Sequence, residues 1–171
     1  MAISTFDGPV RSLNGFYSQG NGNVLTLGAT AALTVAANAG KTMLAPATCA
    51  VTLPVIVATA DGAGTGPGSD PNTLSNIGTS YTIFFNVISA GATAQTITTG
   101  AAADKFVGEL IVSGTTTMGF ASVAGVTITL NATTTGGAAR GSYVTCTALA
   151  ANLWQVSGVL IGSGTVATPF S

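Results

Sequence analysis

Histidine is absent from these 171 residues and charge is nearly so: four Lys and Arg with five Asp and Glu make up 5% of the chain, for a net charge of −1. Each lack excludes a chemistry. Without imidazole there is no Ser-His-Asp or Cys-His arrangement and no neutral nitrogen ligand for a metal. The charged side chains stand scattered at Asp7, Arg11, Lys41, Asp61, Asp70, Asp104, Lys105, Glu109 and Arg140. No Lys and Arg cluster exists to neutralise phosphates or to meet an anionic lipid surface, so neither a nucleic-acid partner nor a membrane patch is expected. Two cysteines cannot build a four-thiolate site, and nothing singles out two acids as a glycosidase pair. The expectation is a non-enzyme with no cofactor and no metal.

Long apolar runs are missing as well. Apolar residues amount to 47%, yet Thr, Ser, Gly, Asn and Pro interrupt every stretch before the roughly 18 residues of a membrane helix. An outer-membrane barrel would call for aromatic girdles and a secretion signal. Residues 1–7 show neither the basic nor the apolar region of such a signal, which predicts assembly in the cytoplasm. No long segment keeps an i, i+3, i+4, i+7 stripe, so helix is not expected.

What is present is strand. Short runs rich in Val, Ile, Thr, Phe and Tyr alternate apolar with Thr or Ser between Gly, Asn, Asp and Pro, the pattern of half-buried strands. They fall near 24–28, 31–37, 42–45, 49–59, 80–88, 94–99, 106–113, 117–123, 126–131, 142–149 and 153–161. About ten short strands with frequent turns predict an all-β, jelly-roll-like β-sandwich over 24–171. Cys49 and Cys146 share parity with apolar neighbours and are expected as inward free thiols. Trp154 alternates with Val156 and is expected to pack in the core.

Two segments depart from this rhythm. Residues 1–23 carry Ile3, Phe6, Val10, Leu13, Phe16 and Tyr17 at neither period and read as an extended N-terminal arm. Such apolar groups gain roughly 25 cal/mol per Å² when a partner covers them. Phe6, Val10, Arg11, Leu13, Phe16 and Tyr17 are therefore candidate interface residues, with Arg11 the arm's only cation. The stretch DGAGTGPGSDPNTLSNIGTS, residues 61–80, reads as a long surface loop. Loops of that length are often functional, which makes Asp61, Asp70, Asn72 and Asn76 candidates for exposed contacts. Their spacing matches no calcium loop.

Several motifs resolve into ordinary structure. Gly40-Lys41-Thr42 ends like a phosphate-binding loop, but Val35 stands where the first glycine belongs and Pro46 would stop the following helix. Gly62, Gly64, Gly66 and Gly68 lack the strand-turn-helix unit of a dinucleotide site. Asp104 and Glu109 flank Lys105 and read as a solvated hairpin corner. The Thr-x-Thr pairs at 96–98 and 127–129 lack the fixed repeat of an ice-binding coil and read as strand threonines.

The opening Gly8-Pro9-Val10-Arg11-Ser12-Leu13-Asn14-Gly15-Phe16 resembles the start of small virion proteins encoded beside the capsid gene in phages of aquatic bacteria and cyanobacteria. Val51-Thr52-Leu53-Pro54, Tyr81 to Val87, Gly141 to Cys146 and Leu153 to Gly158 are similar to β-sandwich modules of phage head-decoration and fibre proteins. The resemblance implies a capsid decoration (cement) protein of tailed bacteriophages. It would bind the major capsid protein on the outside of the virion as a homotrimer and stiffen the shell. Arg11 would then pair with a capsid carboxylate or carbonyl. Two rivals stand beside it, a receptor-binding or fibre module and a jelly-roll shell-forming capsid protein.

Overall fold

A computed structural model describes residues 21–58 and 75–171. The arm candidates Phe6, Val10, Arg11, Leu13, Phe16 and Tyr17, and the loop candidates Asp61, Asp70 and Asn72, lie outside the described residues. After a 3₁₀ turn at Asn21–Asn23 come β1 (Val24–Thr26), β2 (Thr30–Ala32), α1 (Val35–Asn38), β3 (Thr42–Ala45), β4 (Cys49–Thr52), β5 (Ser80–Phe85) and β6 (Gln95–Thr98). The chain continues with β7 (Lys105–Ser113), β8 (Thr117–Gly125), β9 (Thr127–Leu130), β10 (Ser142–Ala150) and β11 (Leu153–Ile161). The result is an all-β domain of two mixed sheets, a seven-stranded one in the order β1-β3-β5-β10-β11-β7-β8 and a four-stranded one in the order β2-β4-β6-β9.

Alternation dictates which face each strand buries. In β5 the pattern places Tyr81, Ile83 and Phe85 inward; β10 contributes Val144, Cys146 and Ala148, and β11 Trp154, Val156 and Leu160. From the smaller sheet Cys49, Val51, Ile97, Ile128 and Leu130 join the same buried cluster. Tyr81 and Trp154 meet edge to face with ring centroids 5.7 Å apart, a geometry that suits the ring quadrupoles. At Gly108 (φ 120°) and Gly158 the backbones come together. A Cβ on Gly108 would run into the Val156 carbonyl oxygen, and one on Gly158 into that of Tyr143.

The first six strands alternate between the sheets. Val24, Thr42 and Thr82 lie side by side in parallel on β1, β3 and β5, while Thr30, Ala50 and Thr96 do the same on β2, β4 and β6. Each pass through both sheets lays its strands beside those of the previous pass, as in a coil. This corrects the jelly-roll expectation, because jelly rolls are wired from antiparallel strands and here β7 and β11 are parallel too. The strand expected at 31–37 ends at Ala32. Thr34 caps a short helix instead, its Oγ1 accepting from Ala37 N at 3.2 Å while Asn38 Oδ1 accepts from Thr34 N at 2.9 Å, a reciprocal arrangement that favours a helix start. The strand expected at 49–59 stops at Thr52, just before Pro54, which has no N–H to offer a ladder.

Candidate functional site

Two residues sit elsewhere than their sequence context predicts. Asn76 is not an exposed loop contact; it is buried, its Oδ1 accepting from Val57 N and its Nδ2 donating to Val55 O, both at 2.9 Å. Its amide ties the two ends of the long loop together. Asp104 is likewise buried rather than solvated, with Oδ2 accepting from Ile56 N at 3.1 Å. Glu109, by contrast, is exposed on β7. Cys49 and Cys146 are buried free thiols. Burial pushes the Cys49 thiol up to about 11 and that of Cys146 up as well, so neither supplies thiolate for nucleophilic chemistry at neutral pH. Among the described residues no three His, Cys, Asp or Glu side chains gather where a metal could bind.

The outward faces and edges of the sheets offer further candidate surfaces. On the larger sheet, registers align Leu44, Phe84, Tyr143, Val159 and Ile111 in one apolar row running across β3, β5, β10, β11 and β7. The neighbouring row is Thr42, Thr82, Thr145, Ser157 and Glu109. Its hydroxyls pair across strands, Thr82 with Thr145 at 3.1 Å and, one row further, Ser80 with Thr147 at 2.9 Å. A groove of about 380 Å³ opens between the rows, lined by Glu109, Ile111, Tyr143, Gln155 and Val159 over Ser157 and Gly158. Its lining joins one aromatic ring and aliphatic groups with a single carboxylate and an amide.

The smaller sheet presents a different face. Thr30, Ala50, Thr96 and Thr129 form one rank across β2, β4, β6 and β9, and Ala32, Thr52, Thr98 and Thr127 form the next. Among the described residues none of these six threonine hydroxyls has a protein partner, and no charge interrupts them. Sequence reading saw the Thr-x-Thr pairs but not their ranks, because the ranks exist only once the coils stack.

The edges complete the inventory. The four-stranded sheet is closed at β9 by the chain's last residues: Thr129 N donates to Pro169 O at 2.9 Å, and Val126 N and Thr127 N donate to Ser171 O. β1 and β2, at other edges, are three residues long. β8 is nine residues long, and among the described residues only β7 pairs with it. No protein-family model, curated protein or solved structure matches the chain.

Proposed function

We propose that this chain is a structural virion protein that binds the outer surface of a tailed-phage capsid as a homotrimer and stabilises the shell. The observation that carries the reading is the apolar row from Leu44 to Ile111, set on an outward sheet face of a chain with 5% charged residues. Tyr143 and Ile111 remain 38% and 43% exposed there, and apolar surface of this kind is stabilised by a covering partner. We read the two sheets as the layers of a sandwich: the larger sheet's apolar row faces the major capsid protein, and the threonine ranks of the smaller sheet face water. The arm residues Phe6, Val10, Arg11, Leu13, Phe16 and Tyr17 extend the contact to neighbouring subunits. Reactivity plays no part in such a role.

Purified chain mixed with undecorated heads is expected to co-sediment with them and to raise the temperature at which they burst. Ile111→Lys and Tyr143→Lys, both on the solvent side of the sheet, should abolish co-sedimentation while leaving the circular dichroism spectrum unchanged. Full binding by both variants would overturn the assignment of this face. Deleting residues 1–17 tests the arm in the same assay.

The groove favours a second reading, a receptor-binding or fibre module in which Tyr143 stacks on a sugar ring while Gln155 and Glu109 take its hydroxyls. Copy number separates the two: a lattice-wide complement belongs to a decoration protein, a handful per particle to a fibre.

A further inference from the structure

We propose that β8 is the acceptor edge of the trimer, and that the N-terminal arm of the neighbouring copy adds to it as an extra strand. The inference rests on the trimeric reading above and names the surface that would build it.

β8 departs from every other long strand of the larger sheet. Its sequence, TMGFASVAG, has no charge and no proline. Its residues are exposed on both faces, with only Ser122 buried, Met118 49% exposed and Val123 84%. Its outer edge offers a row of N–H and C=O groups with no described partner. Proteins ordinarily blunt such an edge with charge, proline, brevity or a covering segment. This chain does so elsewhere, closing β9 with residues 169–171 and keeping β1 and β2 to three residues. β8 has none of these four; its irregularity is a register shift against β7, where Phe106 pairs with Gly125 and Gly108 with Ser122, so the regular run it offers to a partner strand is 117–122.

Topology selects the partner. The larger sheet runs from β1 at one edge to β8 at the other, and the arm joins the domain just before β1. In a head-to-tail ring, the β1 edge of one subunit faces the β8 edge of the next, so the arm begins beside the strand it is to join. This heterologous contact is the kind that closes a cyclic trimer; a β8-to-β8 pairing would be isologous and give a dimer. Residues 1–20 exceed the nine of β8, and Pro9 is tolerated because an added outermost strand has one side unpaired.

The test uses the full chain. Sedimentation should show a trimer for the parent, and monomers both for Ala121→Lys/Val123→Lys, which places charge along the exposed edge, and for the chain lacking residues 1–20. A Val10→Cys/Ala121→Cys variant should form intersubunit disulfides on mild oxidation and run as covalent oligomers, while each single variant should not. Background from Cys49 and Cys146 is low because both are buried. A trimer that survives both the edge charges and the arm deletion would overturn the proposal, as would a parent chain that is monomeric. Head binding is scored separately, so a parent chain that is monomeric yet still coats heads would refute this interface and leave the decoration reading standing.

Discussion

Asn76 joins two segments through one amide. Besides its two side-chain bonds to Val55 and Val57, its backbone N donates to Val57 O at 3.0 Å, and Thr79 Oγ1 donates to its carbonyl at 2.7 Å. Asn76→Ala removes the part-buried hydrogen bonds to the Val57 N–H and the Val55 carbonyl, which at about 0.5–1.5 kcal/mol each costs about 1–3 kcal/mol. Urea unfolding should report that loss; a change within about 0.5 kcal/mol, typical of a surface position, would show that the amide clasp is not needed. The cysteines give the residue scale its pH dependence. In the unfolded chain both thiols ionise near 9.0, whereas in the fold Cys49 keeps its proton to about 11 and Cys146 holds its own more firmly still. Above pH 9.0 the unfolded state therefore binds fewer protons than the native one, and stability falls as pH rises toward 11; below 9.0 the thiols contribute no slope. Cys49→Ala/Cys146→Ala should flatten the alkaline decline in urea midpoint, leaving the part due to Tyr81, whose phenol is also raised by burial. An identical decline in parent and variant would assign it elsewhere. The inward thiols follow from the parity of their strands, but the roles of Asn76 and Asp104 do not follow from local sequence. Asn76 sits in a stretch rich in Gly, Pro and Asn, and Asp104 beside Lys105, so both look solvated until distant segments close over them.

Elements were more legible than residues. Alternation, as in Ser80-Tyr81-Thr82-Ile83, marks a strand wherever its partners lie, and ten of the stretches so marked coincide with or overlap the observed strands, as does the shortened one ending at Ala32. α1 was invisible because four residues cannot display an apolar stripe. Pairing direction was hidden for a different reason. The coil formed by β1 to β6 has a short step from Val24 to Thr42 but a long one from Thr42 to Thr82, since residues 53–79 intervene, and this insertion erases the repeat that would have announced it. The C-terminal residues carry the prediction at this scale. Deleting residues 169–171 removes four main-chain hydrogen bonds to the β9 segment, together with Phe170, which packs against the core. At about 1 kcal/mol per bond plus the lost ring packing, the domain should be destabilised by about 4–6 kcal/mol. The bared edge should also promote association, seen as rising light scattering at concentrations where the parent stays clear. Unaltered stability with unaltered scattering would mean that the closing strand is dispensable.

Across the whole molecule, scarcity of charge and abundance of partner-ready surface are one property. Five carboxylates and four cations leave few pairs for salt to screen, and in the proposed role the apolar row of the larger sheet and the β8 edge would engage partners through burial and main-chain hydrogen bonds. Charged interfaces weaken as added salt shortens the Debye length from about 10 Å at 0.1 M to about 3 Å at 1 M. Burial of apolar surface has no such dependence, and salts excluded from protein surfaces strengthen it. Occupancy of undecorated heads by this chain should therefore hold steady or rise as sodium sulfate is added, measured by co-sedimentation at fixed protein concentration. Arg11 offers the internal contrast: in the proposed role its pairing with a capsid group would be weakened by screening, so Arg11→Gln should lower occupancy at low salt and converge on the parent as salt increases. If the parent instead dissociates steeply with salt, the contact is electrostatic and the apolar row is not its centre.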